Sequence, residues 1–447
     1  MFFKPQKALK REFLCHSTII AHGLRLGLCI PAIILAACTS SDNHHVRSPE
    51  ITPNKTITTR QVGILLPLSG RNGVLGNNML KAAKLAMADP LSPPLDVRDT
   101  EISGASVAAQ QAIAAGDGII LGPLTASETA SIAPIATAAN VPVLSYTSDV
   151  TKAQSNLWVM GVTPEQQVET MVVAAKAEGK TRFAALLPDN ALGHALADSL
   201  TQVCSENGLA SPQISFHSGT SDDISQKLKQ LSNYDNRLQE TKTHTSSDSS
   251  VKTADTDSND SSNSTGLIDD LVPPPSNGTD SKKDNNNKLV LSAPPFDALL
   301  LGDTGLKLQS VINALKENQI SSKNVRLMGP GLWSAFASKL GKLHGAWYAA
   351  PDPSKRQGFV QQYMSKYGTM PKPLADLTYD SSSLVRSLDK LGGYTQENLT
   401  RNQGFDGVDG LFTLNKNGHI RRSLRIFEIQ PGGGGKLISI PATQPKS

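Results

Sequence analysis

Short hydroxyl side chains recur where this chain would turn from strand to helix: Ser69, Thr125 with Ser127, and Ser145 with Thr147. Each follows an apolar run of strand length. A hydroxyl there can cap the next helix or hydrogen-bond a polar solute. Gly70, Gly73 and Gly76 follow the first run with GxxGxxG spacing. A dinucleotide turn needs GxGxxG, so these glycines read instead as a loop entering a helix N-terminus, where backbone N–H groups can hold a carboxylate or another anion. The chain has no GxxxxGK[ST], HExxH, CxxC or GxSxG motif, so neither phosphate-loop, zinc-hydrolase nor serine-hydrolase chemistry has its usual carrier. No Ser–His or Cys–His pair follows from local spacing, and the carboxylates are scattered. The residues offer binding rather than catalysis, and no cofactor or metal is expected.

The elements that must position these groups alternate. Strand candidates are Val62–Leu66, Leu95–Val97, Gly118–Leu121, Val141–Leu144 and Trp158–Met160. A second set comprises Phe183–Leu187, Ile214–His217, Ala298–Leu301, Val325–Met328 and Ala346–Ala349. Helices are predicted between them, such as Ser106–Ala115 and Pro164–Glu178. In the latter, Val168, Met171, Val172 and Ala175 recur at three-to-four spacing behind a first-turn proline. Such alternation predicts an α/β fold of mostly parallel sheets with helices on both faces, and the length allows two sheets. Ligands in open α/β sheets bind beyond the carboxyl ends of strands. The hydroxyls sit at those ends.

Of 447 residues, 43 are basic and 39 acidic, a net +4 with no basic stripe, so nothing points to a nucleic-acid partner. The one run apolar enough to enter a bilayer is Leu26–Ala37, behind Lys4, Lys7, Lys10, Arg11 and Arg25. As a helix it covers about 18 Å, short of the roughly 30 Å hydrocarbon core, and reads as a secretory signal. It ends in Leu35-Ala36-Ala37-Cys38, which resembles a bacterial lipobox. Residues 1–37 are therefore expected to leave and Cys38 to be acylated, giving a membrane link through a lipid anchor. Thr39 follows where inner-membrane retention would want Asp, so the outer membrane is the expected destination in a Gram-negative cell. Residues 38–60 read as a tether in which His44-His45 is solvated tail. Cys15 and Cys29 leave with the signal; Cys204 remains and is expected to be a small buried hydrophobe.

Residues 239–288 interrupt the alternation. Of these 50 residues 31 are Ser, Thr, Asn or Asp and none is aromatic, too little apolar surface to offset ordering entropy, so the segment is predicted to be disordered. Inside it Gly266-Leu267-Ile268-Asp269-Asp270-Leu271-Val272-Pro273 forms a short apolar island, a docking motif or, the preferred reading, a transient contact with the body. The insert enters before FDALLLG, at that strand's amino end, away from the binding cleft.

QVGILLPLSGRNGVLGNNMLKAAKLAM and GIILGPLTASETASIAPIATAANVPVLSYTS resemble successive segments of type 1 periplasmic binding proteins of the leucine/isoleucine/valine group. FDALLLGD, YGTMPKPLADLTYDSSSLVRSL and GFDGVDGLFTLNKNGHIRRSLRIFEI are similar to its later segments, in order. The resemblance implies two lobes, residues 61–163 with 352–403 and 164–351 with 404–440. They would be joined by three crossings near Val162–Pro164, Ala350–Asp352 and Gly404–Gly410. It also implies a cleft lined by Ser69, Gly70, Thr125, Ser127, Ser145, Tyr146, Thr147 and Asp303. There the chain departs from the family's amino-acid site. The carboxylate-binding Ser falls at Ala126, the Thr near Asp149 or Thr147, the aromatic at Leu192; the acid that pairs with the ligand ammonium falls near Asp303. A site lacking a hydroxyl and a stacking ring loses on the order of 1 kcal/mol or more per contact.

The lipobox, tether and weakened site also resemble the penicillin-binding protein activator lipoproteins, which share this fold and stimulate peptidoglycan synthases. No counterpart of the N-terminal helical-repeat domain of some members is expected from this sequence. The resemblance implies a non-enzymatic activator whose partner is a peptidoglycan synthase. The alternative is a receptor delivering a branched-chain amino acid or related small polar ligand to an ABC permease. Lipidation is directly testable: Cys38→Ser is expected to give a soluble or unprocessed protein, and intact-mass analysis of the wild type to show an acylated mature chain. An unmodified mature chain would remove the anchor.

Overall fold

The computed structural model describes residues 60–248 and 290–438. The signal, the tether, Cys38 and most of the insert, including its apolar island, lie outside the described residues. Five strands form the first sheet: β1 (Val62–Leu66), β2 (Leu95–Asp99), β3 (Ile119–Leu121), β4 (Val143–Ser145) and β5 (Leu157–Val159), in the order β2-β1-β3-β4-β5. All pairings are parallel. The second sheet repeats that order with β6 (Phe183–Pro188), β7 (Gln213–His217), β8 (Ala298–Leu301), β9 (Arg326–Gly329) and β10 (Trp347–Ala350). These too are parallel. The α/β architecture expected from the sequence is present, each sheet flanked by helices on both faces.

The strand pattern explains the layering. In β1 every residue is buried, but alternate side chains part company. Val62, Ile64 and Leu66 join one core, with Met79 of helix Gly73–Ala86 and Leu384 and Leu388 of helix Ala375–Asp389. Leu65 enters the opposite core, against Ala108 and Ala112 of helix Ala105–Ala114 and Ile132 of helix Ala126–Ala139. A period of two with both faces covered is what a central parallel strand requires. Each fully buried Leu or Ile is worth roughly 1.5–3 kcal/mol. Capping boxes at Thr125 with Glu128 and at Thr163 with Gln166 start two of the helices. Helix Pro164–Ala177 buries the predicted Val168, Met171, Val172 and Ala175.

The C-terminal stretch holds five strands that the alternation did not disclose. β11 (Phe405–Gly407), β12 (Gly410–Leu414) and β13 (Ile420–Arg422) form an antiparallel meander. β14 (Arg425–Ile429) extends the second sheet antiparallel to β10, and β15 (Gly435–Leu437) pairs antiparallel with β14. Phe405, Phe412, Leu414 and Ile420 pack into the core of the first sheet, whereas Leu424 and Ile426 belong to the second. The expected third crossing at Gly404–Gly410 is therefore corrected to Ser423–Leu424, and residues 404–422 move to the first lobe. The meander buries its aromatic face on the first sheet's helices, which short spacing between glycines concealed. A second correction concerns the insert: helix Tyr234–Asp248 takes in its first residues, 239–248. Arg237 fixes that helix by donating to the carbonyls of Ser292 and Asn318 at 2.7 and 3.2 Å.

Where the crossings meet, Arg422 is buried. It donates to Asp380 at 3.3 Å and to the Met160 carbonyl at 3.3 Å, linking β13 to helix Ala375–Asp389 and to the end of β5. Asp380 also accepts the backbone N–H groups of Val408 (2.7 Å) and Asp409 (3.4 Å). Burial pushes the Asp409 carboxyl up to about 7, with Arg422 opposing and Asp376 and Asp380 reinforcing the shift. An unfolded Asp titrates near pH 3.9. The folded chain thus binds this proton more tightly, and the group's contribution to stability is full below about pH 4 and lost as pH rises through about 7. Asp409→Asn is expected to shrink the excess of the urea midpoint at pH 5 over that at pH 8; an unchanged difference would show that Asp409 does not titrate in this window.

Candidate functional site

Both parallel sheets have the order in which the chain reverses direction beside the first strand, and the crevice at that reversal is the usual ligand site of doubly wound folds. In the first sheet it lies between the ends of β1 and β3. Gly70 takes φ of +62° in the turn after β1, and a Cβ at Gly76 would fall 2.0 Å from the Pro67 carbonyl. The glycine spacing is thus explained by a tight turn and close docking of the helix on that turn, not by a nucleotide. Ser69 and Gly70 line a groove of about 650 Å³ with Val74, Asn77, Lys81 and Met370.

The other candidates of the first lobe are engaged within the fold. Thr125 is exposed, accepts the Glu128 N–H at 3.2 Å and donates its hydroxyl to the Glu128 carboxylate at 2.8 Å. Ser127 is exposed on the same first turn, beside Ala126. Ser145 is buried and shares a hydrogen bond of 2.6 Å with Thr129. Tyr146 turns into the core, its hydroxyl 3.0 Å from Ser381, and burial raises its pKa. Thr147 is buried and accepts the Asp149 N–H at 3.0 Å, while Asp149 itself caps Val150–Lys152. A second groove of similar size runs along the outer side of helix Ala126–Ala139, bounded by Thr129, Ala133, Thr137, Lys152 and Gln154.

At the reversal of the second sheet, between β6 and β8, Asp303 sits where an ammonium partner is expected. Its side chain is 1% exposed and lies 2.9 Å from His217 Nε2, at the end of β7. The Asp303 carbonyl accepts the indole N–H of Trp333 at 3.0 Å. His217 was not singled out from the sequence; the two stand 86 positions apart, and the sheet order brings them together. Leu192 packs against the core beside β6 rather than offering a stacking ring. Cys204 is buried in that core, and burial pushes its thiol up to about 11, so it behaves as the small hydrophobe expected. Among the described residues no group of three or more His, Cys, Asp or Glu could hold a metal ion, and no helix is long and apolar enough to cross a membrane.

Two sheets of this order, three crossings and antiparallel strands on the second sheet decide the fold. It is that of a type 1 periplasmic binding protein. Residues 59–236 match the family model described as periplasmic binding protein. Full-length LpoA from Haemophilus influenzae superposes with a TM-score of 0.59 at 15% identity, over 86% of this chain and 59% of LpoA. This chain thus spans about three fifths of that protein. The C-domain of LpoA, a regulator of PBP1A, is covered completely, with a TM-score of 0.58 at 16% identity over 85% of this chain. A putative branched-chain amino acid ABC transporter protein from Rhodospirillum rubrum gives 0.58 at 14% identity, covering 85% of this chain and 99% of its own. A search of curated proteins gave no match. On this periplasmic-binding-protein scaffold, Asp303→Ala would leave His217 buried without its partner. It is expected to lower unfolding stability by about 1–3 kcal/mol, measured by urea denaturation. An unchanged midpoint would mean that the pair is not needed to hold the ends of β7 and β8.

Proposed function

We propose that this chain is a non-enzymatic, periplasm-facing lipoprotein, anchored through Cys38 in the outer membrane, that binds and stimulates a peptidoglycan synthase of the penicillin-binding class. The observation that carries the reading is the buried Asp303–His217 pair. The acid expected to hold a ligand ammonium at the second sheet is already hydrogen-bonded inside the protein. The hydroxyls of Thr125, Ser145 and Thr147 are likewise engaged by Glu128, Thr129 and Asp149. A receptor binding at micromolar strength needs about −8 kcal/mol, which a small solute reaches only through several paired polar groups in a desolvated cleft. The fold of the LpoA C-domain, whose protein regulates PBP1A, supports the same reading.

The competing reading, a receptor for an ABC permease, has the fold of the Rhodospirillum protein in its favour. Calorimetry and binding to a purified synthase separate the two on one soluble preparation lacking residues 1–38. Leucine, isoleucine and valine are expected to give no micromolar heat signal, and the synthase is expected to bind and to polymerise glycan faster. Micromolar binding of a branched-chain amino acid without synthase binding would overturn the activator reading in favour of the receptor.

A further inference from the structure

The groove beside Ser69 has features that neither the fold nor a small-solute cleft accounts for. One wall is helix Gly73–Ala86, which contributes Val74, Asn77 and Lys81; the other is the turn Thr369–Lys372 that follows helix Pro353–Tyr367. Four hydrogen bonds shape the walls. Tyr363 and Tyr367 donate their hydroxyls to the carbonyls of Asn78 (3.2 Å) and Lys81 (2.9 Å). The Lys372 N–H donates to the Asn78 side chain at 2.7 Å, and Asn77 donates to the Leu68 carbonyl at 2.7 Å. The groove is held open before anything binds, which lowers the ordering cost of binding.

Its surface is apolar in the middle and basic at one end. Val74 is 72% and Met370 56% exposed. Lys81 lies 5.5 Å from the Tyr367 ring centre and Lys366 5.7 Å from the same ring, and Lys372 lines the groove beside them. None of these three lysines forms an ion pair among the described residues, and no acidic side chain lines the groove. At the far end Glu101 approaches Gly70, while Asp99 is occupied by the N–H groups of Leu68 and Glu101. Two ammonium groups over one ring repel one another, a third lysine lines the same groove, and an anion relieves that repulsion.

We infer that this groove is a docking surface for an acidic, partly apolar segment of a partner protein, with its carboxylates at the Lys81–Lys372 end and an apolar side chain between Val74 and Met370. The inference rests on the partner-binding reading above, and names the surface that reading lacked. Free amino acids do not fit the pattern, since one carboxylate cannot span the lysines and cover the apolar middle together. Charge complementarity of this kind governs encounter rate and salt dependence more than tight affinity.

The test uses the soluble chain and a fluorescein-tagged twelve-residue peptide of Leu, Asp and Gly, against the same peptide with Lys at every Asp position. The acidic peptide is expected to bind and to weaken several-fold between 50 and 300 mM salt. Binding should fall at least tenfold in Lys81→Glu/Lys372→Glu but not in Lys342→Glu on the second lobe. Equal binding of both peptides, binding of neither, or an unaffected double variant would overturn the inference. Removing residues 249–288 should leave peptide affinity unchanged. A tenfold rise would place the chain's own Leu267–Val272 in the groove and equally overturn it. The purified synthase separates the two levels. A wild-type chain that stimulates the synthase, with a double variant doing so equally well, defeats the groove alone. A wild-type chain that binds the peptide but not the synthase defeats the activator reading alone.

Discussion

A guanidinium cannot be left without partners in a protein interior, and Arg422 is enclosed where the chain passes between its two sheets. Removing one member of such a pair generally costs about 3–5 kcal/mol, because the other charge stays buried. Asp380 meets that demand from helix Ala375–Asp389, and the Met160 carbonyl meets it from the end of β5. The same carboxylate receives the N–H groups of Val408 and Asp409 at the tip of the meander. One ion pair therefore fixes the register of three separate stretches of chain. The meander lies on the first sheet and β14 leaves for the second at a junction where the two terminal nitrogens of Arg422 are paired.

The same requirement explains why the predicted site is polar in sequence and quiet in structure. Hydroxyls at strand ends were read as ligand contacts or as caps, and in the fold they take up partners of their own. Thr125 closes a capping box, Ser145 binds Thr129, and Asp303 takes His217. Ser69 likewise hydrogen-bonds Asp99, and together with Gly70 it borders a groove also lined by Lys81, Lys372 and Met370. The fold of the type 1 periplasmic binding proteins can thus be kept while the polar groups at its strand ends serve the protein's own interior.

Much of that scaffold is legible in the sequence because central parallel strands are continuous apolar runs. Val62–Leu66 and Ala298–Leu301 coincide with β1 and β8 for that reason. β11 and β13 are three residues each. Such strands carry too few repeats for any period to register, so the third crossing was placed at Gly404–Gly410, across β11, rather than after β13. The grooves were illegible for a different reason. Lys81 and Lys372 stand 291 positions apart in the chain, and contacts from Tyr363, Tyr367, Lys372 and Thr378 to helix Gly73–Ala86 bring their segments together.

The seam between Arg237 and Ser292 has a further consequence. The Ser292 hydroxyl donates to Glu240 at 3.1 Å, and the Leu291 N–H to Gln319 at 3.0 Å, so the two chain ends entering and leaving this region are clasped at the amino end of β8. Chain added between two clasped points costs only about 0.6 kcal/mol for each doubling of its length. The seam is therefore a port at which lineages, or protein engineers, can lengthen, trim or replace a segment of up to a whole reporter domain.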